Sequence, residues 1–235
     1  MPRIENLPAG SSAQRNNLNH QAIEDYLKTI YTLAEEESPV STSRIAAMRG
    51  VKPASATSMI QRLAALELVN YEKHYGVTLT ETGRHIALEV IRHHRLIELY
   101  LTEALGFTWD EVHEQADILE HVISEKLEER IAAALGYPTL DPHGDPIPAP
   151  DGTLPQRSLV SLATLAPGEG GVVARITDDH NAELLRYLSE LALEPGAVVT
   201  VRAIAPLEGP LTLEVGGQEQ IIGRAAAERV FVERL

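Results

Sequence analysis

Between residues 113 and 121 the sequence reads HEQADILEH, and four of its side chains offer nitrogen or oxygen donors: His113, Asp117, Glu120 and His121. On a helix, at about 100° per residue, they fall within an arc of roughly 100°. One face therefore carries two imidazoles and two carboxylates. Earlier in the chain His94 and Glu98 stand four residues apart, one turn on another helix. Two such helices packed side by side bring both sets together. Donors of this kind, without sulfur, suit Mn(II), Fe(II), Co(II) or Zn(II), and a carboxylate-heavy set favours Mn(II) or Fe(II). The bland alternative is a solvated acidic face with incidental histidines, which two such clusters on neighbouring helices make less apt. His20 and His143 read as surface groups, and His85 and His93 as surface or supporting ones.

The chain contains no cysteine, which excludes a disulfide framework, a thiolate metal site and a cysteine nucleophile. It contains no HExxH, no nucleophile elbow and no phosphate loop. A metal sensor fits better than an enzyme. The net charge of −14 over 235 residues speaks against nucleic acid until its distribution is considered. Residues 1–85 hold nine basic and nine acidic side chains, residues 86–150 four and thirteen, and residues 151–235 seven and twelve. A neutral N-terminal module can approach phosphates, while an acidic middle attracts cations. The first residues lack an apolar signal region, and no stretch approaches the roughly 18 apolar residues of a spanning helix. The expectation is a cytoplasmic protein with no membrane partner.

The predicted fold is mainly α with a C-terminal all-β module. Residues 1–18 are expected to form a flexible tail. Residues 19–80 read as a winged helix-turn-helix domain: a helix up to Pro39, a short one capped by Ser41 or Ser43, a third over 53–67, and a hairpin turning at His74-Tyr75-Gly76. In that arrangement the third helix enters the major groove. Lys52, Ser55, Thr57 and Ser58 are then placed to reach bases and phosphates, Arg62 a phosphate, and His74 and Tyr75 the wing's contacts. Residues 81–136 are predicted as a metal-binding and dimerisation domain of two long amphipathic helices, 81–104 and 109–135. Their apolar stripe calls for a second copy, and a symmetric homodimer reads palindromic double-stranded DNA. Residues 137–157, with six prolines, read as a linker. Residues 158–235 read as an SH3-like barrel of five short strands (172–176, 198–204, 211–215, 220–222, 229–234) and a helix over 182–191.

Four blocks carry a resemblance: IEDYLKTIYTLAEEE (23–37), the segment from SRIA to VKPASATSMIQRLAALELV (43–69), LTETGRHIALEVIRHHRLIELYL (79–101) and VHEQADILEHVISEKLEERI (112–131). With a C-terminal barrel behind them, the chain resembles the diphtheria toxin repressor and manganese transport regulator family of metal-dependent transcription regulators, in its longer three-domain, FeoA-like form. The resemblance implies a dimeric repressor of metal uptake genes, activated by metal. It implies a principal site of Asp25, Asp117, Glu120 and His121. Iron-type relatives have methionine and cysteine at the first two positions, and manganese-type relatives have carboxylates. It therefore implies Mn(II), with Fe(II) second and Co(II) or Zn(II) as substitutes in vitro. Lys28 stands where manganese-type relatives have another carboxylate, so a second ion is not held in that way. An ancillary site is implied at His94, Glu98 and His113, completed from the barrel by Asp178, Asp179, His180 or Asn181, although His94 can instead join the principal set. Two other readings stay open: a permanently bound structural metal, and a metal-handling enzyme or storage protein with a vestigial helix-turn-helix.

Overall fold

A computed structural model describes residues 12–178 and 180–235, and the chain divides into two compact units, residues 1–91 and 92–235. In the first, α1 (Ser12–Ala34) is followed by α2 (Thr42–Met48), α3 (Pro53–Ala65) and a hairpin of β1 (Val69–Glu72) and β2 (Gly76–Leu79). The helix begins inside the segment expected to be a tail; of that segment, residues 1–11 lie outside those described. Ser41 starts α2 by accepting from the Arg44 amide, and Pro53 supplies the first turn of α3. The apolar spacing of α1 buries Leu27, Ile30 and Leu33 against Ile45 of α2 and Ala56, Ile60 and Leu63 of α3. β1 and β2 pair antiparallel from Val69↔Leu79 to Glu72↔Gly76, with His74 at the turn in the left-handed region, φ +70°.

Helix α4 (Glu81–Leu105) follows. Gly83 near its start has no room for a side chain, because a Cβ there lies 2.0 Å from the Leu68 carbonyl oxygen.

In the second unit the predicted helix over 109–135 is two helices, α5 (Val112–Leu119) and α6 (Glu125–Ala134). The break has a local cause. Ser124 caps α6 by accepting from the Leu127 amide, and Glu125 and Glu128 favour a helix start there. Ile97 and Leu101 of α4 pack on Val112 and Ala116 of α5, while Leu96 packs on Ile131 and Ala132 of α6.

The segment read as a linker is instead a packed strap. Asp141, His143, Asp145 and Ile147 are buried, and Ile147 joins the core of Leu96 and Ile131. Its prolines pre-set φ and remove amides that burial would leave unpaired. The Asp141 carboxylate accepts from the His143 and Asp145 amides, which fixes the turn between them.

The C-terminal module is a six-stranded antiparallel sheet, one strand more than predicted, in the order β3-β8-β4-β5-β6-β7. Its strands are β3 (Val160–Ser161), β4 (Gly170–Ile176), β5 (Val198–Ile204), β6 (Leu211–Val215), β7 (Gln218–Ile222) and β8 (Val230–Arg234). Helices α7 (Ala182–Glu190) and α8 (Arg224–Ala227) complete it, with Leu185 and Leu188 of α7 in the core. Within this unit the module is tied to the helices. Trp109 Nε1 donates to Ser189 Oγ at 2.8 Å, Arg186 pairs with Asp110 at 3.2 Å, and the Ile176 amide donates to the His143 carbonyl at 2.8 Å.

Gly144 has φ +84°, and a Cβ there lies 2.1 Å from the Ala174 carbonyl oxygen. Gly144→Ala is expected to cost about 2 kcal/mol or more through strain and displacement of the strap from β4. Urea denaturation of the metal-free protein checks this, with Gly216→Ala as the control at a positive φ without a close neighbour.

Candidate metal centre

The centre is built on two consecutive turns of α4. His94 and Glu98 face inward and are both buried, which a helix tolerates only if their polar atoms find partners. His94 Nε2 lies 2.9 Å from Glu98 Oε1 and 3.1 Å from His113 Nδ1. On its other side His94 Nδ1 lies 2.5 Å from Glu120 Oε2 and 3.4 Å from Asp117 Oδ1. His113 also reaches Glu98 Oε1 at 3.3 Å and Asp117 at 3.6 Å, and His121 Nε2 lies 3.3 Å from Glu120 Oε1. Six of the predicted donors, His94, Glu98, His113, Asp117, Glu120 and His121, thus form one continuous network. His94 stands in its middle, between the residues expected to belong to two separate sites.

The break after α5 places the last two of these. Glu120 is the C-cap of α5, and its carbonyl oxygen lies 3.1 Å from His93 Nδ1. His93 Nε2 lies 3.0 Å from Glu128 Oε2 in the first turn of α6. His93 is therefore buried, and it ties the two ends of the break together beside Glu120.

The sequence reading missed two donors, Asp141 and His143. His143 is fully buried rather than on the surface, with its ring stacked on Trp109 at 5.7 Å and Nε2 2.7 Å from the Trp109 carbonyl oxygen. Its Nδ1 lies 3.7 Å from Glu98 Oε2. Glu98, Asp141 and His143 present donor atoms within 4.8 Å of one another, as do His94, His113 and Asp117. The available signal was the run Asp141-Pro142-His143-Gly144-Asp145, three ionisable groups in five residues. Proline content hid it by suggesting a linker.

The residues named from the barrel divide. His180 lies 2.9 Å from Asp178, and its ring centroid is 6.1 Å from that of His113. The Asn181 side chain instead caps α7 by accepting from the Leu184 amide, which commits its oxygen. Asp179 lies outside the described residues. Asp25, in the first unit, pairs with Arg49 at 2.6 Å.

Electrostatics make this a place for a cation. Burial pushes the Glu98 carboxyl up, but His94, His113 and His143 together hold it well below the usual carboxylate range. Burial pushes Asp141 well above that range, and the neighbouring Asp145 and Glu98 carboxylates push it further, against Arg95 and His143. Among the described residues Glu98 Oε2 and Asp141 Oδ2 are buried without a hydrogen-bond partner. Two carboxylate oxygens facing inward, beside neutral-capable imidazoles and with no sulfur present, fit a divalent ion of the Mn(II), Fe(II), Co(II) or Zn(II) class.

On the DNA-binding side, Lys52, Ser55, Ser58 and Arg62 are exposed on and before α3, and His74 and Tyr75 are exposed at the hairpin turn. Thr57 is half-buried, and its hydroxyl donates back to the Pro53 carbonyl at 2.9 Å.

Comparison with known proteins agrees with this geometry. Residues 20–77 match the iron dependent repressor N-terminal DNA binding domain, residues 80–149 the iron dependent repressor metal binding and dimerisation domain, and residues 160–234 the FeoA domain. The iron-dependent repressor IdeR of Mycobacterium tuberculosis is 33% identical over 224 residues, covering 90% of this chain and 96% of the relative. The chain belongs to the diphtheria toxin repressor and IdeR family. Among solved structures, a manganese-dependent transcriptional repressor in complex with manganese is 39% identical, with a TM-score of 0.83 over 91% of this chain and 100% of that one. ScaR with bound Cd2+ is 33% identical, with a TM-score of 0.77 over 91% of this chain and 99% of that one. As a member of this family the protein is a metal-dependent, DNA-binding transcriptional repressor and not an enzyme. It binds divalent metal, and its partners are DNA and a second copy of itself. Among the described residues no helix is long and apolar enough to cross a membrane.

The two buried carboxylates predict opposite pH effects in metal-free protein. Glu98, with its pKa lowered on folding, contributes stability present above its unfolded pKa and lost as pH falls through the folded value. Asp141, with its pKa raised, contributes stability present below its unfolded pKa and lost as pH rises through the folded value. Asp141→Asn removes the second contribution, so in chelator at pH 7 it is expected to raise the melting temperature. Thermal melts from pH 4 to 8 check this: the gain over wild type should shrink as pH falls.

Proposed function

We propose that the protein is a homodimer that represses metal uptake genes in the cytoplasm when Mn(II) is plentiful, with Fe(II) as the second ion and Co(II) or Zn(II) as substitutes in vitro. The observation that carries the choice of ion is the donor set. From His121 through Glu120, His94 and Glu98 to Asp141 it consists of imidazole nitrogens and carboxylate oxygens, in a chain without cysteine. Asp117, Glu120 and His121, with Asp25 as the resemblance implies, are assigned to the principal site. His94, Glu98 and His113 are assigned to the second, together with Asp141 and His143, with His180 beside His113 and with Asp178 and Asp179 as the further barrel candidates the resemblance implies. Two of the solved relatives are a complex with manganese and a form with bound Cd2+, which supports a divalent transition-type ion here.

A bound divalent cation supplies positive charge among carboxylates that otherwise repel one another. The chain's own residues do the rest. His93 and Glu128 hold the turn that presents Glu120, and the Asp141 turn presents His143. Asp25 lies on α1, the helix whose core α2 and α3 share. Ligation of Asp25 then biases the helix-turn-helix by its differential affinity for the DNA-competent arrangement. The operator is taken to be palindromic, as symmetric pairing of two recognition helices requires. Lys52, Ser55, Thr57, Ser58 and Arg62 of the recognition helix and His74 and Tyr75 of the wing are the proposed DNA contacts, with Thr57 limited to accepting.

The test is retention of sheared genomic DNA at fixed salt by protein stripped with chelator, alone and with each of the four ions. Fragments held only with metal are expected, at the lowest concentration with Mn(II). Retention without metal overturns the regulatory reading. Asp25→Ala is expected to abolish the dependence on metal. On the recovered operator, Lys52→Ala should weaken binding across all sequences alike and lower the salt slope by about one, the signature of a lost phosphate contact.

A further inference from the structure

The pair between Asp25 and Arg49 is shorter and better enclosed than a surface ion pair needs to be. Arg49 Nη2 lies 2.6 Å from Asp25 Oδ2, and the two side chains are 32% and 26% exposed. Arg49 is the C-cap residue of α2, and its guanidinium sits over the Tyr26 ring at 5.7 Å. Its Nε is buried and has no hydrogen-bond partner among the described residues. The arginine therefore leans across from α2 onto α1 and sets its fixed charge on one carboxylate oxygen. The neighbouring arginine on α2 behaves differently: Arg44 pairs with the exposed Glu36 and Glu37 in the turn after α1.

We infer that Arg49 is a built-in competitor for the metal at Asp25, and that it sets the metal concentration at which the repressor switches. The inference rests on Asp25 being a ligand, as proposed above. A guanidinium keeps its charge at every pH the protein meets, so only another cation relieves it. An ion arriving at Asp25 meets a carboxylate oxygen already engaged and a unit positive charge within a few ångströms, in a partly enclosed place where water screens poorly. The ion must displace the guanidinium or bind beside it, and either course weakens its binding. Lys28, one turn further along α1, adds to the local positive charge. The same pairing gives the metal-free protein a substitute for the ion, because it satisfies Asp25 and joins α1 to α2. The site thus stays empty at low metal without leaving a part-buried carboxylate alone.

The experiment is a titration of the stripped full-length protein with Mn(II), with free ion followed by its electron paramagnetic resonance signal. Arg49→Gln keeps much of the side chain and removes the charge, and Arg49→Lys keeps the charge. Arg44→Gln removes a charge from the same helix away from Asp25. Arg49→Gln is expected to tighten Mn(II) binding at the site that includes Asp25 by about tenfold, with Arg49→Lys and Arg44→Gln within about twofold of wild type. Unchanged or weaker binding in Arg49→Gln overturns the proposal, as does equal tightening in Arg44→Gln. Asp25→Asn separates the two claims. If it leaves Mn(II) binding unchanged, Asp25 is not a ligand and the underlying reading falls with the proposal. If it weakens binding while Arg49→Gln has no effect, only the role of Arg49 falls. A melt of each variant in chelator confirms that the titrated protein is folded.

Discussion

A carboxylate taken out of water survives as an anion only among positive charges or donors, and Glu98 is fully buried at the middle of α4. Three imidazoles surround it, one from its own helix, one from α5 and one from the strap. None of these elements can shift without exposing Glu98 to an uncompensated desolvation cost. That requirement explains why α5 packs by Val112 and Ala116 directly against the apolar side of the same α4 turns. It also explains why a proline-rich segment is held inside the unit. Asp141 brings a second buried carboxyl beside the first, pushed well above the usual carboxylate range by burial and by Asp145 and Glu98, with Arg95 facing it at 3.6 Å. A divalent cation there would let Asp141 ionise beside Glu98.

The strap carries this condition outward to the C-terminal module. His143 contributes its ring to the centre and its carbonyl to the Ile176 amide of β4, so one residue is fixed by both. Gly144 beside it lies against the backbone of Ala174, too close for any side chain. Asp145 pairs with Arg95 of α4 at 3.1 Å and with Arg175 of β4 at 2.6 Å. Within this unit the β module is thus keyed to the metal centre through five consecutive residues.

Much of this was legible in the sequence, for physical reasons. The helices of the first unit announce themselves by apolar spacing and by caps, Ser41 and Pro53 among them. The strands of the barrel stand between glycine and proline turns. His94, Glu98, His113, Asp117, Glu120 and His121 were found because helical periodicity alone puts them on two faces. The errors have two origins. Periodicity cannot report a break whose apolar stripe continues on both sides, so α5 and α6 were read as one helix although Ser124 and its following glutamates mark a start. Nor can composition distinguish a solvated proline-rich linker from a strap. The difference is whether its few polar side chains find partners within the chain, and for Asp141 and His143 those partners lie more than 40 positions away, on α4.

Glu98 also limits how far the donors can be treated as separate sites. Its Oε1 faces His94 and His113, while its Oε2 faces His143 and lies within reach of Asp141. A carboxylate shared in this way has one negative charge to give. His94 is shared likewise, with one ring nitrogen on Glu98 and the other on Glu120. A cation held on either side draws charge and orientation from the same two residues that the other side needs. Positive charges brought close in a low-dielectric interior also repel strongly. Were cations held at both ends of this network, occupancy at one end would change affinity at the other. By thermodynamic reciprocity that change is the same in both directions.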